Sequence, residues 1–481
     1  MVFSSSTFLF IFLPIVLGGY YMMGRLDISY RNRFLLLMSL FFYFWGEPIH
    51  IAVMIASIIL NYYWGIAIDN AKNSGKNNQK LFLICAISSN LIIFMIFKYI
   101  HFIIDIINSI LYLNISHPKI YLPIGISFFT FQGLTYIIDL YRGEVAVQRN
   151  FCKVALYISL FPQLVAGPIV RYKDIENQIS SRKENIDLFY SGVVRFILGL
   201  SKKVLIANQV AVVADKIFFL QPNHISIPLA WLGVFCYSIQ IYFDFSGYSD
   251  MAIGLGRMFG FRFKENFNYP YISNNIIEFW RRWHISMSSF FRDYVYIPLG
   301  GSRKGNICKN LLITFFVTGL WHGAGWTFII WGFWHGLFII IEHKLKFKYY
   351  NFQNLFLRFL SHIYVLFVIM VGWVLFRAEN ISYAIDYLGV LFGIVNSTPV
   401  GYTFLLFFKM PFVIYLIFAI LFAIPIMPKL AIFLERSSLY NNHLICNLFF
   451  SCKTIILTIL LLLSLFEIIS SSYNPFIYFR F

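Results

Sequence analysis

Two short blocks concentrate the chemistry of this chain: EFWRRWHISMSSFFRDYVYIPLGG, from Glu278 to Gly301, and GLWHGAGW, from Gly319 to Trp326. Each sets one histidine, His284 or His322, among tryptophans and glycines, the first with arginines as well, inside otherwise apolar sequence. Imidazole titrates nearest neutrality and is the side chain best suited to moving a proton there. A titratable group held at membrane depth is costly unless it meets water or a partner. The two blocks therefore point to proton transfer inside a bilayer.

Local spacing refines this. Trp280, Trp283 and His284 fall at i, i+3 and i+4, which predicts a shared helical face, and Glu278 stands within reach of Arg281 or Arg282. Those arginines would alternatively meet phosphates, because guanidinium forks match phosphate oxygens. The block reads as an amphipathic helix at an interface. In the second block, glycines on either side of His322 permit close backbone approach. His322 and Trp326 meet there if the turn is helical. Either block by itself also fits a packed histidine or a snorkelling helix; two on neighbouring segments weigh towards chemistry. His335, in WGFWHGLF, is expected ~20 Å from His322 along an unbroken helix and reads as structural. Asp244 and Asp250, in YFDFSGYSDM, would orient a histidine or pair with arginine, and pairing is favoured.

Other chemistries lack their signatures. There is no G-x-S-x-G, H-E-x-x-H, P-loop or His-x4-Asp, and none of the six cysteines forms C-x-x-C, so no metal site is expected.

These residues must be held by membrane elements. Hydrophobic residues make up 59% of the 481 positions, charged residues 12%, and mean hydropathy is +0.72; soluble domains carry about 25% charged residues. The net charge of +17 sits mostly in short loops between apolar runs. That is a positive-inside pattern with attraction to anionic lipid, not a nucleic-acid surface. The run Phe8–Met23 precedes the first basic residue, Arg25, which predicts a retained first helix with the N-terminus outside and Arg25–Arg33 in the cytoplasm.

The length accommodates about ten to twelve crossings. Predicted spans include Leu81–Phe97 and Phe102–Leu113 as separate segments, and Phe151–Val165, Phe189–Val213 and Pro228–Tyr242. The expectation is one integral membrane domain over 1–481, with N-terminal helices (1–161), a catalytic core (162–345) and C-terminal helices (346–481). The stretch from Pro162 to Trp334 holds seven of the ten tryptophans together with Gln163, Gln240, Asp244, Ser249 and Asp250. Such polar density predicts a hydrated cavity walled by the flanking helices.

With these residues in view, the blocks PQLVAGPIVRY (Pro162–Tyr172), YFDFSGYSDMAIGLGRMFGF (Tyr242–Phe261), the two histidine blocks, WVLFRAENISYAIDYL (Trp373–Leu388) and the ending YNPFIYFRF resemble the membrane-bound O-acyltransferase (MBOAT) family. The likeness is nearest to its bacterial polysaccharide branch, the membrane subunits of alginate and peptidoglycan O-acetylation. It implies an all-α polytopic bundle with a central funnel or tunnel and re-entrant or interfacial helices, in the bacterial cytoplasmic (inner) membrane. His322 matches the family's near-invariant histidine. His284 matches a second position that is Asn, Asp or His across the family.

The resemblance and the residues agree on a mechanism. His322 would be general base for an acceptor hydroxyl, and His284 would orient it or donate to the thioester carbonyl oxygen. Trp280, Trp283, Trp321 and Trp326 would exclude water. Arg281 and Arg282 would hold coenzyme A phosphates, and Asp244 is a further candidate contact. The implied donor is acetyl-CoA from the cytoplasm, with no bound cofactor. The implied partners are a cell-surface polysaccharide, peptidoglycan slightly ahead of alginate, and an extracytoplasmic esterase-like or acetyltransferase protein. The rivals are a D-alanyl transfer subunit for teichoic acid, a transporter and a non-catalytic scaffold.

Overall fold

The computed structural model describes residues 2–74, 78–165, 167–347, 354–395, 398, 403–436, 443–471 and 473–477. Among these residues the chain is helical with no strand, as an apolar sequence without water must be to satisfy its backbone. Among the described residues, six helices are long and apolar enough to cross a membrane: Ile51–Asn73, Gln79–Leu111, Ile186–Phe219, Ile227–Met258, Leu355–Arg377 and Asn447–Ser470. Shorter apolar helices include Phe8–Met22, Ile307–His322 and Met410–Phe422.

Several boundaries differ from the sequence reading. The two segments predicted over 81–113 are one 33-residue helix, Gln79–Leu111. Lys98, Tyr99 and His101 are polar, but no Gly or Pro interrupts the backbone ladder there. The span predicted over Phe151–Val165 breaks instead into Phe151–Ser159 and Phe161–Leu164, because Pro162 supplies no donor. The Ile227 helix continues past Tyr242 to Met258 and so carries both aspartates of the YFDFSGYSDM block.

The chain divides into two compact units. The first holds Met1–Phe196 and Tyr248–Lys264. Within it, Asn61 and Asn90 exchange two side-chain hydrogen bonds of 3.0 Å between neighbouring helices. Its basic loops converge through ion pairs: Arg31–Glu184 at 2.9 Å, Arg149–Asp69 at 2.8 Å, Lys173–Glu144 at 2.5 Å and Lys264–Asp174 at 2.6 Å. Asp250 pairs with Arg195 at 2.7 Å, the pairing expected from sequence.

The second unit, Ile197–Gly247 and Glu265–Phe481, contains both histidine blocks. Its centre is a hairpin of Ile307–His322 and Trp326–Lys344. The two helices touch backbone to backbone. A Cβ on Gly319 would stand 2.4 Å from the Phe328 carbonyl oxygen, and one on Gly332 would stand 2.3 Å from that of Phe315. Buried Glu342 on the second helix accepts the N–H groups of Ile276 at 2.6 Å and Ile277 at 2.9 Å, anchoring the start of the Ile276–Arg282 helix. A carboxylate is favoured there because a helix N-terminus leaves its first donors unsatisfied.

Candidate active site

The first block is not one helix. Ile276–Arg282 ends at Trp283, which is extended, and Ile285–Phe291 begins after His284. His284 has φ 42° and ψ 55°, the left-handed region. Trp280, Trp283 and His284 therefore do not share a helical face; the break swings the imidazole inward, where it is 0% exposed. Asn266, on the extended stretch before the block, fixes it. Its Oδ1 accepts from the Ser286 backbone N–H (3.2 Å) and the Ser286 hydroxyl (2.8 Å), and lies 3.1 Å from His284 Nδ1. A backbone N–H can only donate, so that Asn266 atom is the oxygen, and the ring must donate to it through Nδ1. Nε2 then carries the lone pair. Burial holds the imidazole well below its usual range, at about 3, so the ring is neutral near pH 7. A neutral ring in this tautomer presents Nε2 as an acceptor.

The turn after His322 is not helical either. Ile307–His322 ends at the histidine, Gly323 and Gly325 are extended, and Trp326 starts the next helix. Trp326 is 53% exposed and does not line the cavity beside His322. The break also relocates His335. It is not ~20 Å along one helix but on the antiparallel arm, its ring 5.1 Å from Trp331, which is itself 4.9 Å from His322.

His322 is buried and lines a narrow cavity of about 10 Å³ with Phe245, Trp283, Trp331, Trp373 and Phe376, closed further by Ile241 and Ile477. That is room for about one water-sized group. Among the described residues, the space that His322 lines is this narrow cavity rather than the wide one expected from polar density. Aromatic rings wall it: Phe376 stands 5.0 Å from the imidazole and Trp331 4.9 Å. The two aspartates of the YFDFSGYSDM block are used in ion pairs instead. Asp244, 1% exposed, lies 2.7 Å from Lys203 and accepts the Ile477 N–H at 2.9 Å, so it faces no histidine.

The remaining predicted residues separate clearly. Trp321 is buried against both histidines, its ring 4.7 Å from His322 and 6.0 Å from His284. Trp283 walls the cavity, whereas Trp280 packs behind it, 5.6 Å from Trp331. Arg282 is held by Glu278 at 2.9 Å. Arg281 is exposed and has no hydrogen-bond or ion-pair partner among the described residues.

Sequence reasoning missed Phe245, Asn266, Trp331, Trp373, Phe376 and Ile477. Trp331 is the most informative of these. It is 1% exposed, lines the cavity, and its indole Nε1 has no hydrogen-bond partner among the described residues. An orphaned buried donor is uncommon and calls for a use. Trp373, Phe376 and Ile477 lie in blocks that carried the family likeness, but nothing in their types announced contact with His322.

The model of the membrane-bound O-acyltransferase family matches residues 129–385, which include both histidine blocks and most of the cavity wall. The chain belongs to this family. It is therefore an acyltransferase of the multi-pass membrane class. Among its relatives, it is 44% identical to the probable alginate O-acetylase AlgI of Pseudomonas putida, over 82% of this chain and 80% of that one. It is 33% identical to the peptidoglycan O-acetyltransferase of Helicobacter pylori, again over 82% and 80%. The teichoic acid D-alanyltransferase of Bacillus subtilis is 32% identical over 44% of this chain and 58% of its own.

Proposed function

We propose that this protein is a membrane O-acetyltransferase that passes acetyl from cytoplasmic acetyl-CoA to a polysaccharide outside the membrane, directly or through a hydroxyl of an extracytoplasmic partner. The observation that carries this reading is a buried imidazole, His322, at a cavity large enough for about one small group and walled by aromatic rings. An acetyl methyl fits such a space. The relatives with the fullest overlap are named for O-acetylation, and the D-alanyl relative overlaps less than half of this chain.

In this reading, His322 takes the proton of the acceptor hydroxyl as its oxygen attacks the thioester carbonyl carbon. The carbon–sulfur bond breaks and the proton passes to the departing thiolate, leaving an ester and free coenzyme A thiol. The free indole N–H of Trp331 is the donor available to the carbonyl oxygen as its charge develops. His284 offers its Nε2 lone pair to a hydroxyl or water and is a positioning group. Arg281, exposed and without an ion-pair partner among the described residues, is the arginine available to donor phosphates.

The relatives of higher identity carry alginate in their names and one of lower identity carries peptidoglycan, so the assay offers both. Purified protein in lipid discs receives radiolabelled acetyl-CoA, each polysaccharide, and the secreted partner where one is encoded beside it. His322→Ala is expected to lower acetyl transfer at least ~100-fold. Near-normal transfer by a folded, membrane-inserted variant removes His322 from the role of base, and uptake without thioester consumption favours a transporter.

A further inference from the structure

The cavity at His322 is closed on one side by a residue from the far end of the chain. Ile477 is 6% exposed and lines the cavity. Its backbone N–H donates to Asp244 Oδ2 at 2.9 Å. The other oxygen of Asp244 lies 2.7 Å from Lys203 Nζ, and Lys203 also donates to the Pro475 carbonyl oxygen. Both members of this ion pair are 1% exposed. Asn208 donates to Asn474 Oδ1 at 3.3 Å, and Tyr473 donates to Asp215, which Arg377 pairs at 2.8 Å. Residues 473–477 are thus a strap tied along the Lys202–Phe219 helical stretch, whose first turn, Lys202–Ala207, is a widened π-turn.

A buried ion pair is an expensive way to hold a segment, since desolvation offsets much of its attraction; such pairs are better explained by a need for one defined geometry. Here the geometry defined is the position of the Ile477 side chain. We propose that this strap sets the length of the acyl group that the His322 cavity accepts, with Ile477 as the stop and Asp244 and Lys203 as its positioning residues. The inference rests on the acetyl-transfer reading and extends it to acyl-size selection. The remaining space is about 10 Å³, so one added methylene meets Ile477 on one wall and Ile241 on another. Apolar contacts of this kind discriminate one methylene by ~10- to 200-fold.

The test uses the full-length protein in lipid discs with acetyl-, propionyl- and butyryl-CoA and the same acceptor and partner, reading the ratio of propionyl to acetyl transfer. The wild type is expected to favour acetyl at least ~10-fold. Ile477→Ala is expected to raise the propionyl ratio at least ~10-fold, Ile477→Val by less, and Ile241→Ala, at another lining position, to raise it as well. Asp244→Asn, which keeps an acceptor for the Ile477 N–H but loses the ion pair, is expected to raise the ratio too. A residue needed for folding alone would lower all donors together and leave the ratio unmoved. An unchanged ratio in Ile477→Ala, Ile477→Val and Asp244→Asn, with acetyl transfer still dependent on His322, overturns the strap and leaves the acetyltransferase reading standing. Absence of His322-dependent acetyl transfer in the wild type removes that reading, and the strap with it.

Discussion

At the scale of single residues, the tautomer of His284 and the unused N–H of Trp331 divide the work around the base. Trp331→Phe keeps the ring that fills the cavity and deletes only the donor. If that donor meets the developing oxyanion, kcat falls ~100-fold while KM for the thioester changes little, as steady-state kinetics would show. Equal kcat in the two proteins would assign Trp331 to packing. Asn266 acts on His284 through charge as well as geometry. In the wild type, His284 protonates only at about 3, so it places no acid limb near neutrality. Asn266→Asp sets a carboxylate 3.1 Å from Nδ1 and favours the imidazolium, which raises the pKa. Since the neutral lone pair is the useful form, the acid limb of kcat/KM moves to higher pH in this variant. A superimposable pH profile would refute the coupling. Both histidines were visible in sequence because a polar residue among tryptophans stands out. Asn266 and Trp331 were not, since an Asn in a loop and a Trp in an apolar helix are each ordinary until their partners are known.

At the scale of elements, both histidines sit at helix breaks, and periodicity could not show this. The i, i+3, i+4 spacing of Trp280, Trp283 and His284 fitted a helix that the backbone does not form at Trp283. The reason lies in the left-handed conformation of His284, with φ 42°. Among residues other than glycine, Asn, Asp and His are enriched in that region, whereas β-branched side chains are outliers there. The resemblance implied Asn, Asp or His at this position, and the backbone supplies a physical reason for that set apart from chemistry. His284→Asn should therefore unfold within about 1 kcal/mol of the wild type, and His284→Val should lose ~2 kcal/mol or more. Thermal unfolding in detergent compares them, and equal losses would show that the conformation carries no strain. The glycines of the second block were legible as close-approach residues. What they approach, the Phe315 and Phe328 carbonyls across a hairpin, became visible only in three dimensions. The break after His322 brings Trp331 and His335 back along the same wall, which a continuous helix would have carried away.

At the scale of the whole chain, composition announced a membrane protein, and the distribution of its basic residues announced an orientation. Within the first unit, the segments around Arg31, Asp69, Glu144, Lys173, Glu184 and Lys264 are joined by ion pairs into one polar face. If Arg25–Arg33 is cytoplasmic, as the charge rule expects, following the helices returns every one of these segments to that same side. The opposite end is equally defined. Gln79–Leu111, at ~50 Å, outreaches a hydrocarbon core of ~30 Å and delivers Tyr112, which is 92% exposed, well beyond it. Single cysteines in a background lacking the six native ones read this directly. Tyr112→Cys and Tyr121→Cys should react with an impermeant maleimide in intact cells, whereas Lys183→Cys and Lys264→Cys should react only after the membrane is opened. The reverse pattern would invert the chain and bring the donor from the wrong side. Reaction of both sets in intact cells would break the single polar face on which the orientation is argued.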